Sequence, residues 1–203
     1  TMTSPEKLFD LYKSVEYVVK VGIPGAIVEC GVWKGGSMML VAETLIDLKA
    51  EPRVLMLFDT FQGLPIPDAD LDLDLNGNPA IDRYREKWAY AGMGEVRRNM
   101  VETGYESIGK VVYADGLVEK LLPQLAHGVT TTEGTYLGPI ESVALARLDT
   151  DWYASTKVEL EVLWPLISPG GLLIIDDYGH WQGARKATDE YFADKPVKMT
   201  RLD

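Results

Sequence analysis

The chain has 203 residues, 46% hydrophobic and 25% charged, with a mean hydropathy of -0.05. This is enough apolar mass for one globular domain, and no apolar run of about eighteen residues offers a membrane span. With 20 Lys and Arg against 31 Asp and Glu, net -11, the chain lacks the positive face that a phosphate backbone demands, which argues against nucleic acid as a partner. The opening Thr1-Met2-Thr3-Ser4-Pro5-Glu6 has neither the basic nor the apolar region of a secretory signal, and the lone Cys30 leaves no internal disulfide. Both features fit a cytoplasmic protein.

In chain order, Ser4-Pro5 reads as a helix start, and Leu8, Leu11, Val15, Val18 and Val19 recur at helical spacing up to Val21, where Gly22 and Pro24-Gly25 end it. Five short apolar runs follow: Ala26-Ile27-Val28, Val54-Leu55-Met56-Leu57-Phe58, Val111-Val112-Tyr113, Val143-Ala144-Leu145-Ala146 and Leu172-Leu173-Ile174-Ile175. Each is strand-length and mostly unalternating, as in strands buried on both faces. Helix-like stretches separate them at about 36–49, 80–103, 117–126, 155–167 and 184–193. The alternation predicts an α/β fold: a doubly wound, mostly parallel sheet between two helical layers, in a single domain over 1–203. Segments 63–79 and 127–141 read as long loops, of the kind that serve as lids or binding elements.

Ligands of such sheets sit beyond the carboxyl ends of the strands. There the first run leads into Glu29-Cys30-Gly31-Val32-Trp33-Lys34-Gly35-Gly36-Ser37, whose glycines admit close approach to the backbone. The second ends at Asp59, placed to accept hydrogen bonds from a ribose. The remaining runs end at Asp115-Gly116, Asp149-Thr150-Asp151 and Asp176-Asp177. Neighbouring parallel strands bring Asp149, Asp176 and Asp177 together, and three such carboxylates repel unless a cation joins them. An all-oxygen set suits Mg²⁺. Asp151 is a candidate general base, or else the N-cap of the next helix, and His180 is a rival base. The glycine turn is not the G-x-G-x-x-G fingerprint, which disfavours a nicotinamide cofactor. The run Asp68, Asp70, Asp72, Asp74 fails as a calcium loop, since the sixth and twelfth places counted from Asp68 hold Leu73 and Pro79. A solvated lid is the reading left for it. Tyr84 and Trp88 read as packing residues, and Cys30 as a small buried hydrophobe.

Several stretches resemble the macrocin O-methyltransferase family: Ile23 to Gly36, Phe58-Asp59-Thr60-Phe61-Gln62-Gly63-Leu64-Pro65, Ala146 to Thr156, Ser168-Pro169-Gly170-Gly171 and Asp176-Asp177-Tyr178-Gly179. The resemblance implies a class I S-adenosylmethionine-dependent methyltransferase, Mg²⁺-dependent, acting on a sugar hydroxyl or other vicinal diol of a natural product, with a homodimer suggested by relatives. By the same resemblance Glu29, Gly31, Gly35 and Ser37 hold the methionine end of the cofactor, Met2 covers it, Asp59 takes the ribose, and Gln62 also binds the cofactor. Asp115-Gly116 lies at the adenine. Asp149, Asp176 and Asp177 bind the metal, Asp149 also bordering the cofactor, and Asp151 accepts the proton. The link Thr130 to Tyr136 and the acidic 68–75 stretch depart from the family pattern. A strand-like Val197–Leu202 suggests a further hairpin beyond the chain, and Thr1 a trimmed start. An NAD(P)-dependent oxidoreductase, a non-catalytic binding domain and a metal-dependent hydrolase are the alternatives.

Overall fold

The computed structural model describes residues 2–125, 127–130 and 136–201. Helix α1 (Pro5–Val21) starts where Ser4 accepts the Lys7 N–H and ends on Gly22 in the left-handed region, φ 75°. Strand β1 (Ala26–Cys30) leads to α2 (Gly36–Asp47), β2 (Val54–Asp59), α3 (Met93–Glu102), β3 (Lys110–Asp115) and the four-residue α4 (Val118–Leu121). A small antiparallel pair, β4 (Val129–Thr130) and β5 (Tyr136–Leu137), precedes β6 (Val143–Leu148), α5 (Tyr153–Leu163), β7 (Ile167–Ile175) and α6 (Gln182–Phe192).

Five strands form an all-parallel sheet in the order β3-β2-β1-β6-β7. Side chains alternate between its faces. Ile27, Leu55, Leu57, Leu145 and Leu172 pack on one face with α1, α2 and α3. Val28, Met56, Val112, Ala146 and Leu173 pack on the other with α4 and α5 and with Phe192 of α6. Every residue of β1 and β6 is buried, which is why those runs show no alternation in sequence.

The expected helix 80–103 is helical only from Met93; before it lie a 3₁₀ turn at Ala80–Asp82 and loop, with Lys87 and Ala89 in the left-handed region. The spacing of Tyr84 and Trp88 that suggested a longer helix arises from a tertiary cluster: Tyr84 donates to the Leu64 carbonyl and Trp88 packs edge-on to two other tryptophans. The 117–126 helix is cut to one turn by Pro123, which sits in a 3₁₀ turn. No strand forms over residues 194–201, and Leu202 lies outside the described residues, as do Thr1 and most of the 130–136 link.

Gly31 joins β1 to its loop at φ 81°, and a Cβ there would stand 1.9 Å from the Asp149 carbonyl oxygen. Only glycine lets these two loops touch. Gly31→Ala is expected to cost at least about 3 kcal/mol in a urea denaturation curve; an unchanged midpoint would contradict the contact.

Candidate active site

The register explains the site. Glu29 pairs with Arg147 across β1 and β6, and Arg147 with Ile174 across β6 and β7. Two residues on from Arg147 and from Ile174 stand Asp149 and Asp176, so the strand period turns all four polar residues to the α1–α3 face. There the buried guanidinium of Arg147 forks: Nη1 donates to Glu29 Oε1 and Asp149 Oδ2, and Nη2 to Asp176 Oδ1, each at 2.6 Å. Nη2 also reaches the Thr3 hydroxyl at 3.2 Å, and Lys7 Nζ meets the Asp176 carbonyl and carboxylate. Helix α1 is thereby tied across the strand ends. Arg147 escaped the sequence reading, which ended that strand at Ala146. The signal was available: a lone arginine in an apolar run, two residues from an aspartate.

Asp177, one residue on from Asp176, turns the other way. Its Oδ2 accepts the Asp151 N–H at 3.0 Å, holding Asp151 in the left-handed region, φ 70°, unusual for a non-glycine residue. The Asp151 carboxylate accepts the Trp181 indole N–H at 2.6 Å. Asp151 does not cap α5; that acceptor comes from Asp72, whose Oδ1 takes the Tyr153 N–H at 2.8 Å and whose Oδ2 takes the Asp68 N–H at 2.8 Å. The acidic segment read as a solvated lid is thus anchored: Asp72 is buried, Trp152 donates to the Pro65 carbonyl, and Gln182 donates to Leu73 and Asp74 carbonyls.

One oxygen from each of Asp149, Asp176 and Asp177 lies within 4.8 Å of the others. Burial pushes Glu29 up to about 7 despite Arg147, and burial with the Asp149 charge pushes Asp151 up to about 7. Burial, Asp151 and Asp149 raise Asp177 well above the carboxylate range. Burial disfavours the Arg147 charge, yet Asp149, Glu29 and Asp176 together raise its pKa. Behind the site, burial lifts Glu159 to about 8.

Glu29, Asp149, Asp151, Asp176 and Asp177 border one cavity of about 420 Å³. The structure brings Met2, Glu29, Gly31, Ser37, Asp59, Gly116, Asp149, Asp151, Asp176, Asp177 and His180 to its wall. Gly35, Gln62 and Asp115 are not in that wall: Gly35 starts α2 at φ 81°, Gln62 is exposed, and Asp115 pairs in register with Asp59. Asp59 spends its oxygens on the glycine turn, accepting N–H groups from Val32 and Trp33 on Oδ2 and from Phe61 on Oδ1. Glu29 lines the wall, and its Oε2 is buried with no hydrogen-bond partner among the described residues, an acceptor left unused by the protein. Trp33, Leu64, Pro65, Trp88 and Trp181 give the cavity an apolar, aromatic side that the sequence reading did not assemble.

The family model described as Macrocin-O-methyltransferase (TylF) matches residues 1–203. The chain is 32% identical over 195 residues to the 8-demethyl-8-(2,3-dimethoxy-alpha-L-rhamnosyl)-tetracenomycin-C 4'-O-methyltransferase of Streptomyces olivaceus, covering 94% of this chain and 67% of that one. It is 31% identical over 193 residues to the mycinamicin III 3''-O-methyltransferase of Micromonospora griseorubida, covering 94% and 69%. Among solved structures it resembles the O-methyltransferase NovP, TM-score 0.80 at 28% identity, over 100% of this chain and 78% of the other. The calicheamicin methyltransferase CalS11 shares the fold, TM-score 0.70 at 22% identity, over 95% and 74%.

Removing Arg147 would leave the buried Glu29 and the partly buried Asp149 without a cation and Asp176 with Lys7 alone. Arg147→Met is expected to lose about 3–5 kcal/mol of stability at neutral pH, measured by chemical denaturation; a loss under about 1 kcal/mol would refute the arrangement.

Glu29, Asp151 and Glu159 bind protons more tightly folded than unfolded. As pH rises from about 5 to about 8 the unfolded chain is already ionised, while the folded one must ionise against burial. Stability of the ligand-free protein therefore falls across that window. Thermal midpoints without divalent cations should be lower at pH near 8 than near 5.5; the reverse order would contradict the burial of these groups.

Proposed function

Because the chain belongs to the macrocin O-methyltransferase family, whose members are S-adenosylmethionine-dependent O-methyltransferases, we propose that it methylates a sugar hydroxyl, one of a vicinal pair, on a natural product beside Mg²⁺. One observation carries the reading: Glu29, whose Oε2 is buried without a hydrogen-bond partner among the described residues, and the three clustered aspartates line the same cavity.

The residues fit both ligands. Around the strand ends, Glu29, Asp149, Asp151, Asp176 and Asp177 outnumber the cations Arg147 and Lys7, so the cavity favours positive guests. Glu29 Oε2 suits the ammonium of the cofactor's methionine end, with Ser37 and the Gly31 turn beside it and Met2 across the opening. Gly116 and Val118 would flank the adenine. Asp59 would reach the ribose only through lone pairs left over from holding Val32, Trp33 and Phe61. Asp149, Asp176 and Asp177 present the all-oxygen donors that Mg²⁺ prefers.

When bound, the cofactor supplies an electrophilic methyl group and the cation acidifies the acceptor diol. The chain's own work is placement, exclusion of water and proton removal. Asp151, beside the aspartate trio and raised toward 7, is matched to take the hydroxyl proton near neutral pH. His180 also borders the cavity but is exposed, its ring centre 5.0 Å from that of Trp181. The aromatic side formed by Trp33, Trp88 and Trp181 suits the face of a sugar or an apolar aglycone. The relatives named above act on a rhamnosyl tetracenomycin and on mycinamicin III.

Calorimetry with S-adenosylhomocysteine and with Mg²⁺ tests this. Wild-type protein should bind both, and Asp177→Ala should keep the first and lose the second. Absence of S-adenosylhomocysteine binding would overturn the cofactor assignment, and unaltered Mg²⁺ binding in the variant would overturn the metal assignment. Asp151→Asn should bind both while turnover falls by about 10²-fold or more; a wild-type rate would remove Asp151 as the base.

A further inference from the structure

We propose that Trp181 is the positioning residue for the base: its indole N–H fixes Asp151 Oδ1 and leaves Oδ2 as the oxygen that receives the acceptor's proton. The proposal rests on the reading of Asp151 as the proton acceptor.

A base on a loop needs its direction set by something. The Asp151 backbone is held by Asp177, through the N–H to Oδ2 contact at 3.0 Å, and its left-handed φ of 70° restricts where the carboxylate can go. The side chain has one hydrogen bond among the described residues, from Trp181 Nε1 to Oδ1 at 2.6 Å. An indole N–H donates and never accepts. It therefore discourages a proton on Oδ1 and directs it to Oδ2. A serine, histidine or water in its place could reverse its hydrogen bond and allow either oxygen to be protonated.

Trp181 is itself held from several sides. Its backbone N–H donates to the Asp177 carbonyl at 3.0 Å, so the turn that carries the metal candidates also carries the indole. Its ring packs edge-on against Trp152 at 5.0 Å and Trp88 at 6.3 Å, and the Arg83 guanidinium lies 5.7 Å from its centre. Arg83 is paired with Asp74, and Asp74 forms an isolated backbone bridge with Trp181. The acidic 68–75 stretch, through Asp74, thus backs the indole that aims Asp151, which gives that departure from the family pattern a physical task. In the reaction the hydroxyl proton passes to Asp151 Oδ2 as the hydroxyl oxygen bonds the methyl carbon. The electrons of the broken carbon–sulfur bond remain on sulfur, which becomes a neutral thioether.

Trp181→Phe keeps an aromatic ring and removes the donor. With S-adenosylmethionine, Mg²⁺ and 4-nitrophenyl α-L-rhamnoside as probe acceptor, kcat should fall by about 10- to 100-fold with KM and S-adenosylhomocysteine affinity little changed. Adding Trp181→Phe to Asp151→Asn should cost nothing further, since the indole acts only through that carboxylate. Independently of any acceptor, the Trp181 indole signal in a ¹⁵N-tryptophan spectrum, assigned by its loss in Trp181→Phe, should lie downfield and move upfield in Asp151→Asn. If Trp181→Phe does not fold, or the probe is not turned over, this signal decides, assigned by elimination with single Phe variants of Trp33, Trp88, Trp152 and Trp164. A kcat within twofold of wild type, losses that add in the double variant, or an indole signal indifferent to Asp151→Asn would each overturn the proposal. A wild-type rate in Asp151→Asn with a shifted indole would instead sink the base reading while leaving the contact intact.

Discussion

Everything at the strand ends depends on the fork of Arg147. A guanidinium in a fully buried strand is costly unless its donors are met, and here two nitrogens meet three carboxylates from three adjacent strands. The fork draws β1, β6 and β7 together at the edge where their hydrogen-bond ladders stop. It also determines which oxygens remain for a ligand: Glu29 retains a bare Oε2, and Asp149 one oxygen not paired with Arg147. One arginine and Lys7 do not balance five carboxyls. Burial, with neighbouring carboxylates adding to it, raises the proton affinities of Glu29, Asp149, Asp151 and Asp177. Positive ligands would offset that excess of negative charge.

The parts of this arrangement legible in the sequence were those with a local signature. Unalternating apolar runs announced buried parallel strands, and a carboxylate after each run marked the ligand edge. Arg147 was hidden because its meaning is a matter of register: only the pairing of Glu29 with Arg147 and of Arg147 with Ile174 puts the charges on one face. Asp72 was hidden for a related reason. Its neighbours Asp68, Asp70 and Asp74 made a pattern that looks solvated, and nothing local says that one of the four turns inward to cap a helix eighty residues away. Segment 80–92 misled in the opposite direction, since Tyr84 and Trp88 mimic a helical stripe while packing against tertiary partners.

The adjacent aspartates at the end of β7 show why a parallel sheet suits this site. Successive residues leave a strand on opposite faces, so Asp176 joins the Arg147 network under α1 while Asp177 turns toward the loop that opens α5. Asp149 sits between them on the neighbouring strand. One strand end therefore couples two half-sites: the side where Glu29, Arg147 and the N-terminal residues meet, and the side where Asp151 and the tryptophans meet. A cation shared by Asp149, Asp176 and Asp177 would lock the two halves in register, so it would order the site as well as neutralise its charge.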